Sequence, residues 1–250
     1  MEKKIQVNAA IIIIGNEILS GRTQDTNTGS IALWLNSLGV KVQEVRVIPD
    51  IEEVIVKTIN EVRKKNTYVF TTGGIGPTHD DITAASISKA FNLNYEVNKE
   101  AFKILESYYK PGEFNEGRQK MAWTPANAKL ILNPTSGAPG FIVENIFCLP
   151  GVPSILKSML DGLKNEISGG KPIISHTINL RTVESEIAKS LTSVQNINKD
   201  VEIGSYPFFR AGKLGVSIVV RSENQSEIDD CNSKIMEFVL QNKIEIIKDN

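Results

Sequence analysis

Apolar residues run unbroken from Ala9 to Ile14 and stop at Gly15. A run this short and this uniformly apolar suits a strand buried on both faces of a parallel sheet, here residues 7–14. Downstream the pattern alternates between periods of 3.6 and 2. It predicts a helix near 27–38, a strand over 41–48, a helix over 51–64 and a strand over 67–72. That is β-α-β-α-β, the order of a parallel sheet. Helices follow near 81–91, 99–109 and 116–123, then short strands near Leu130, Phe141 and Ile146. A helix over 153–167 completes the segment, with Pro153 at its start, where the fixed φ of proline is favourable.

Ser168-Gly169-Gly170-Lys171-Pro172 separates two periodic segments and reads as a linker, dividing the chain into domains 1–169 and 170–250. Beyond it the pattern gives a strand over 174–180, a helix over 184–194, strands over 201–206 and 214–220, a helix over 226–241 and a strand over 244–247. The order β-α-β-β-α-β suits a ferredoxin-like split βαβ domain. Ile228, Cys231, Ile235, Phe238 and Val239 share one helical face, as core residues do. The expected fold class is therefore α/β, a three-layer, mostly parallel, Rossmann-like sheet, followed by a smaller α+β domain. Gly212-Lys213-Leu214-Gly215 matches the G-x-x-G of RNA-binding KH domains, but it falls between two expected strands, where a hairpin turn needs glycine.

Composition narrows the function classes. The 250 residues are 41% hydrophobic and 23% charged, with a net charge of −1 and no basic cluster that would track a nucleic-acid backbone. A small-molecule ligand is expected, with neither nucleic acid nor membrane as partner: the 9–14 run is far too short for a membrane span. Cys148 and Cys231 are far apart and lie in apolar patterns, so they read as buried thiols of a protein in a reducing cytoplasm.

The chemistry concentrates in Thr71-Thr72-Gly73-Gly74-Ile75-Gly76-Pro77-Thr78-His79-Asp80-Asp81-Ile82-Thr83, which joins an expected strand to an expected helix. Ligands of open α/β sheets bind at such strand ends. Gly73, Gly74 and Gly76 permit positive φ and leave room for backbone N–H groups to converge on an anion, aided by the helix N-terminus. Asp80 and Asp81 stand at the same helix start, where a carboxylate either caps free amides or holds a hard cation against phosphate. The segment lacks the Lys-Ser/Thr ending of a P-loop and the spacing of a dinucleotide fingerprint. No G-x-S-x-G elbow, H-E-x-x-H site or Cys/His zinc cluster is present.

This segment resembles the signature of the molybdopterin-binding domain shared by MogA and MoaB proteins. Its Pro-Thr-His-Asp-Asp-Ile-Thr form is similar to that of the CinA-type (competence/damage-inducible) branch. Ile14-Gly15-Asn16-Glu17-Ile18-Leu19-Ser20-Gly21 with Asp25-Thr26-Asn27 resembles the first turn of that branch. Asn133-Pro134, Gly137-Ala138-Pro139-Gly140-Phe141 and Leu149-Pro150-Gly151-Val152-Pro153-Ser154 resemble its later loops, and Gly204-Ser205-Tyr206-Pro207 a motif of the following segment. Asn16 stands where an aspartate is frequent, Ser136-Gly137 replaces a Gly-Thr or Gly-Ser order, and Ile155 replaces a frequent glutamate. These departures bear on fine substrate preference. The chain ends at Asn250 without room for the nicotinamide-nucleotide amidase domain of many CinA proteins, so no deamidase activity is expected.

The resemblance implies a metal-dependent pyrophosphatase acting on ADP-ribose or FAD. Under this reading the amides of residues 73–76 hold a phosphate, Thr78 lies beside them, and Asp81 with Asp50 or Asp80 binds Mg²⁺, Mn²⁺ or Co²⁺. K⁺ is a further candidate cation. The alternative is a molybdopterin binder or adenylyl transferase of molybdenum cofactor biosynthesis, and a third reading is a module that has lost activity. The resemblance also implies self-association as a homo-oligomer. Asp50, at the end of the second expected strand, matches a functional aspartate of MogA-type domains, but with Glu53 it also fits a capping box for the helix from Ile51. Glu17 would bind metal or a ribose hydroxyl. Asn27 would do the same or cap its helix. Pro139-Gly140 and Pro150-Gly151 read either as ligand walls or as ordinary turns. His79 is a phosphate donor or an idle loop residue, and His176 a structural one.

Overall fold

The computed structural model describes residues 7–210 and 212–247. The chain forms two compact units that divide after Gly170. In the first, β1 (Asn8–Ile14) leads through a single helical turn, α1 (Asn16–Leu19), to α2 (Asn27–Ser37) and β2 (Lys41–Ile48). α3 (Glu52–Val62), β3 (Tyr68–Thr72) and α4 (Thr83–Phe91) follow. An excursion of β4 (Tyr95–Val97), α5 (Lys99–Tyr108), α6 (Glu116–Lys120) and β5 (Trp123–Pro125) precedes β6 (Lys129–Ile131), β7 (Gly140–Val143), β8 (Ile146–Leu149) and α7 (Pro153–Leu160).

The main sheet has the order β2-β1-β3-β8-β7-β6. β2, β1, β3 and β8 are parallel, and β7 and β6 add an antiparallel edge. The unbroken apolar run of β1 now has its reason. Ala9, Ile11 and Ile13 pack with Ile31 and Leu35 of α2 and Leu156 and Met159 of α7, while Ala10, Ile12 and Ile14 pack with Ile55 and Ile59 of α3 and Ile87 of α4. Both faces of this interior strand are thus covered, which gives the three layers expected from the sequence.

Phe70 is fully buried in this core, stacked on Phe147 with centroids 4.8 Å apart and meeting Trp34 edge-on at 5.9 Å. Phe70→Ala is expected to destabilise the protein by about 3–5 kcal/mol, measured by denaturant unfolding.

The second unit is built from β9 (Ile174–Arg181), α8 (Glu184–Ile197), β10 (Glu202–Arg210), β11 (Lys213–Ser222), α9 (Gln225–Gln241) and β12 (Glu245–Ile247). Its antiparallel sheet has the order β10-β11-β9-β12, the split-βαβ arrangement. The α9 stripe Ile228, Cys231 and Ile235 packs against Ile178, Leu180 and Ile218 of the sheet. Gly212, at φ +75°, turns the hairpin between β10 and β11, as the hairpin reading of the G-x-x-G requires.

Some boundaries differ from the sequence pattern. The helix expected over 116–123 ends at Lys120, because Ala122 O accepts from Asn98 N–H and Trp123 pairs with Val97 in a two-stranded sheet. The helix expected over 153–167 gives way at Asp161 to a 3₁₀ turn, Asp161–Glu166. α1 and β4 had no periodic signal, being four and three residues long.

Both cysteines are buried free thiols. Burial pushes the Cys148 thiol up to about 12 from an ordinary 9.0, and burial raises Cys231 as well. The folded state therefore retains the Cys148 proton that the unfolded chain loses above pH 9.0, so this contribution to stability is intact below that pH and declines as pH rises towards about 12. Neither thiol is expected to react with a disulfide reagent at pH 8 until the protein is denatured; prompt labelling of the native protein would contradict this burial. Among the described residues no helix is long and apolar enough to cross a membrane.

Candidate functional site

The parallel strands end at one edge of the sheet, and the loops that leave them there carry the candidate residues. Gly73 follows β3 with φ +103°, and its N–H donates to Leu149 O at 3.1 Å. A Cβ on Gly73 would stand 2.1 Å from Ile14 O, so no larger residue fits between the ends of β1 and β3. Gly74, at φ +67°, sits against Thr83, whose N–H donates to Gly74 O at 2.9 Å and whose hydroxyl donates to Gly73 O at 3.0 Å. Thr83 is fully buried and fastens the glycine turn to the start of α4.

Gly76 has no positive φ. Its requirement is space: a Cβ there would lie 2.8 Å from an oxygen of the Asp81 carboxylate. Asp81 does not cap α4, whose N-cap position is Ile82 with no side-chain cap. Asp81 Oδ2 instead accepts from the N–H of Thr78 at 2.7 Å and from the Thr78 hydroxyl, closing the loop back on itself. Asp80 is exposed and caps nothing. Its carboxyl is held below the usual carboxylate range, first by the nearby Thr78 hydroxyl dipole, whose proton goes to Asp81, and then by its own backbone N–H. His79 is almost wholly exposed, 3.9 Å from Asp80.

Among the described residues, no acceptor receives the N–H groups of Gly74, Ile75 and Gly76. These three residues line a narrow cleft, with room for about one water, together with Asp81, Lys120 and Trp123. The Lys120 amine donates to Thr78 O, which holds a positive charge beside the amides. Successive unpaired amides beside a cation are a pattern able to receive an anion, and a nearby carboxylate is a group able to accept a proton or bind a cation.

The other candidates gather around the ends of β1, β2 and β8. Asp50 does not cap α3, which starts after Ile51 without a side-chain cap. Its Oδ2 accepts from Asn16 N–H at 2.8 Å and so anchors the turn of α1. The Glu17 carboxylate is folded over Gly15, and both Asn16 and Glu17 are exposed. Asn27 is only 6% exposed. It does not cap α2, since Asp25 accepts from the N–H groups of Asn27 and Thr28. Its Nδ2 donates to Thr72 Oγ1 and to Gly151 O, both at 2.8 Å, while the Thr72 hydroxyl donates to Pro150 O. Asn27 thereby ties the loops after β3 and β8, and its Oδ1 is buried without a partner. Asn27→Leu is expected to cost about 1–3 kcal/mol by leaving Gly151 O and Thr72 short of a donor, measurable by urea unfolding. Gly151 packs on Gly73 Cα, whereas Gly140 begins β7, where a Cβ would lie 2.3 Å from Cys148 O. Gly140 is thus a strand-packing residue, and its neighbour Pro139 lines the cleft.

Asp50 and Asp81 each hold their own loop, and among the described residues no group of three or more His, Cys, Asp or Glu side chains is placed to hold a metal ion. The cleft therefore carries one carboxylate, that of Asp81, and among the described residues no protein-only cage for a cation. Thr83, Lys120 and Trp123 are the residues the sequence pattern did not single out. Thr83 closes the glycine segment and was visible there, whereas Lys120 and Trp123 reach the cleft from an excursion nearly forty residues downstream, which no local spacing announces.

Residues 10–174 match the family model described as a probable molybdopterin binding domain, and residues 172–247 match that of the FAD synthase middle domain. A protein of Archaeoglobus fulgidus is 35% identical over 197 residues, 79% of this chain and 84% of that one. A protein of Caldivirga maquilingensis is 34% identical over 245 residues, covering 94% of this chain and 95% of its own. The crystal structure of CinA from Thermoplasma acidophilum superposes with a TM-score of 0.60 at 30% identity, covering 64% of this chain and 96% of that chain. The family match spans the β1 strand, the glycine loop, Asp81 and the β8 turn, and with it the chain belongs to the MogA/MoaB-like molybdopterin-binding domain family, in which it resembles CinA.

Proposed function

We propose that the protein is a metal-dependent pyrophosphatase that cleaves the diphosphate of a nucleotide such as FAD or ADP-ribose. The observation that carries this reading is that Gly74, Ile75 and Gly76, whose N–H groups have no acceptor among the described residues, line the same cleft as Asp81 and Lys120. The match of the second unit to the FAD synthase middle domain supports FAD as the substrate of first choice.

In the proposed step the amides hold the non-bridging oxygens of one phosphate, and Lys120 offsets their charge. Asp81, at the rim, orients a water and accepts its proton as oxygen attacks phosphorus. The new P–O bond replaces the bridging P–O bond, which leaves as the phosphate of the second product, so FAD and water give AMP and FMN. Asp81 is also the residue that would hold a divalent ion, which would supply charge neutralisation at the phosphate oxygens.

Gly76→Ala provides a test because its Cβ would occupy the position of the Asp81 carboxylate. The variant is expected to lose AMP release from FAD about 10-fold or more while keeping the wild-type unfolding midpoint within a few degrees. A full rate in Gly76→Ala would separate the loop geometry from the chemistry.

A second reading, binding or adenylylation of molybdopterin, is favoured by the family description. It predicts tight, selective molybdopterin binding and no AMP release from FAD.

A further inference from the structure

We propose that residues 110–121 form a strap held shut over the glycine loop, which must open before an anion reaches the N–H groups of Gly74, Ile75 and Gly76, with the contact of Lys120 on Thr78 as its latch. This rests on the reading of the glycine loop as a phosphate site.

The cleft has room for about one water, although three N–H groups of the residues lining it have no acceptor among the described residues. A phosphate is several times larger than a water, so an anion site at this loop requires a wall that moves. The walls are not equally held. Thr83 fastens the glycine turn, Phe141 is buried in the core, and Trp123 is paired with Val97 between β4 and β5. Lys120 and Met121 instead belong to residues 110–121, none of which is buried. Phe114 packs on Phe102 and Tyr109, and the Arg118 guanidinium lies over Tyr109, all within the same excursion. Among the described residues, the one hydrogen bond from this segment to anything outside the excursion runs from the Lys120 amine to Thr78 O. A segment without buried residues and with a single external hydrogen bond belongs to the low-stability end of local opening. Its ends are marked as well: Gly112 has φ +85° in open space, and Ala122 is buried, its O accepting from Asn98 N–H. Opening releases the Lys120 amine from Thr78 O to meet the incoming charge, and closing excludes water around it.

The strap can be stapled shut. A Cβ on Gly117 would lie 3.9 Å from Pro77 Cβ, within the span of about 3.5–4.5 Å that a disulfide requires. The double variant Pro77→Cys with Gly117→Cys therefore locks the strap when oxidised and frees it when reduced. Cys148 and Cys231 are buried and stay out of the exchange. Inorganic pyrophosphate is titrated calorimetrically into the full chain, with chelator present so that no turnover is needed. The reduced variant is expected to bind as wild type does, the oxidised variant at least about 10-fold more weakly, and dithiothreitol to restore the affinity. Equal affinity of the oxidised and reduced forms would overturn the strap while leaving the phosphate reading standing. Failure of wild type to bind pyrophosphate at all would overturn both. Hydrogen exchange on wild type needs no variant: the amides of residues 113–121 are expected to exchange at least about 100-fold faster than those of β1 and β3, and to slow when pyrophosphate binds. Exchange as slow as in β3, or unchanged by bound pyrophosphate, would overturn the strap as well.

Discussion

Asp81→Asn is expected to lower AMP release from FAD by about 100-fold or more while leaving the protein folded. The substitution isolates charge from structure. Asn offers one side-chain oxygen to the N–H and hydroxyl of Thr78, the two donors that the Asp81 carboxylate accepts now, so the loop of residues 74–81 has no reason to open. What disappears is the negative charge needed to take a proton from water or to bind a divalent ion. The stability cost should be within about 1 kcal/mol, the range of a single exposed hydrogen bond. Asp81→Ala is a useful contrast, because it removes the acceptor as well and should disturb the loop. Asp50→Asn separates the other carboxylate by the same logic, since Asn retains an acceptor for Asn16 N–H. An undiminished rate in Asp81→Asn would remove Asp81 from the mechanism.

Gly73→Ala is expected to be strongly destabilising. Gly73 combines a φ of +103°, which side chains avoid, with a hypothetical Cβ only 2.1 Å from Ile14 O. Ile14 belongs to β1, which is paired on both sides, so the backbone cannot retreat without breaking the β1–β3 pairing that runs to Ile13 and Thr72. Backbone strain and overpacking each cost on the order of 1–3 kcal/mol, and together they should lower stability by about 3 kcal/mol or more. Chemical denaturation measures this directly. A variant within about 1 kcal/mol of wild type would show that the β3 turn relaxes around the methyl. Gly112, at φ +85° with nothing near its hypothetical Cβ, isolates the conformational part: Gly112→Ala should cost only about 1 kcal/mol.

The two substitutions also show what the sequence reveals and where it stops. The continuous apolar run of β1 and the alternating helices that follow gave the parallel sheet, because burial on both faces leaves no room for polar positions. The glycine segment was equally legible, since only glycine serves where the chain turns against a neighbouring carbonyl. The reasons for its members were less so. Gly76 is small to accommodate the Asp81 carboxylate, and Asp80, Asp81 and Asp50 look like helix caps in sequence although none of them caps. A cap and a loop-closing carboxylate have the same spacing, and only the direction of the side chain distinguishes them. Asn27 likewise reads as a helix start but reaches Gly151, 124 positions away. Lys120 and Trp123 were hidden because the excursion that brings them to the cleft contains only short elements, whose placement depends on tertiary pairing such as Val97 with Trp123.

Incubation of the purified protein with FAD, in the presence of Mg²⁺, Mn²⁺ or Co²⁺ and in parallel with chelator, followed by chromatographic quantitation of AMP and FMN, tests the central claim most directly. The expected result is equimolar AMP and FMN with metal and neither product with chelator. Intact FAD under every metal condition, with molybdopterin bound selectively instead, would contradict it.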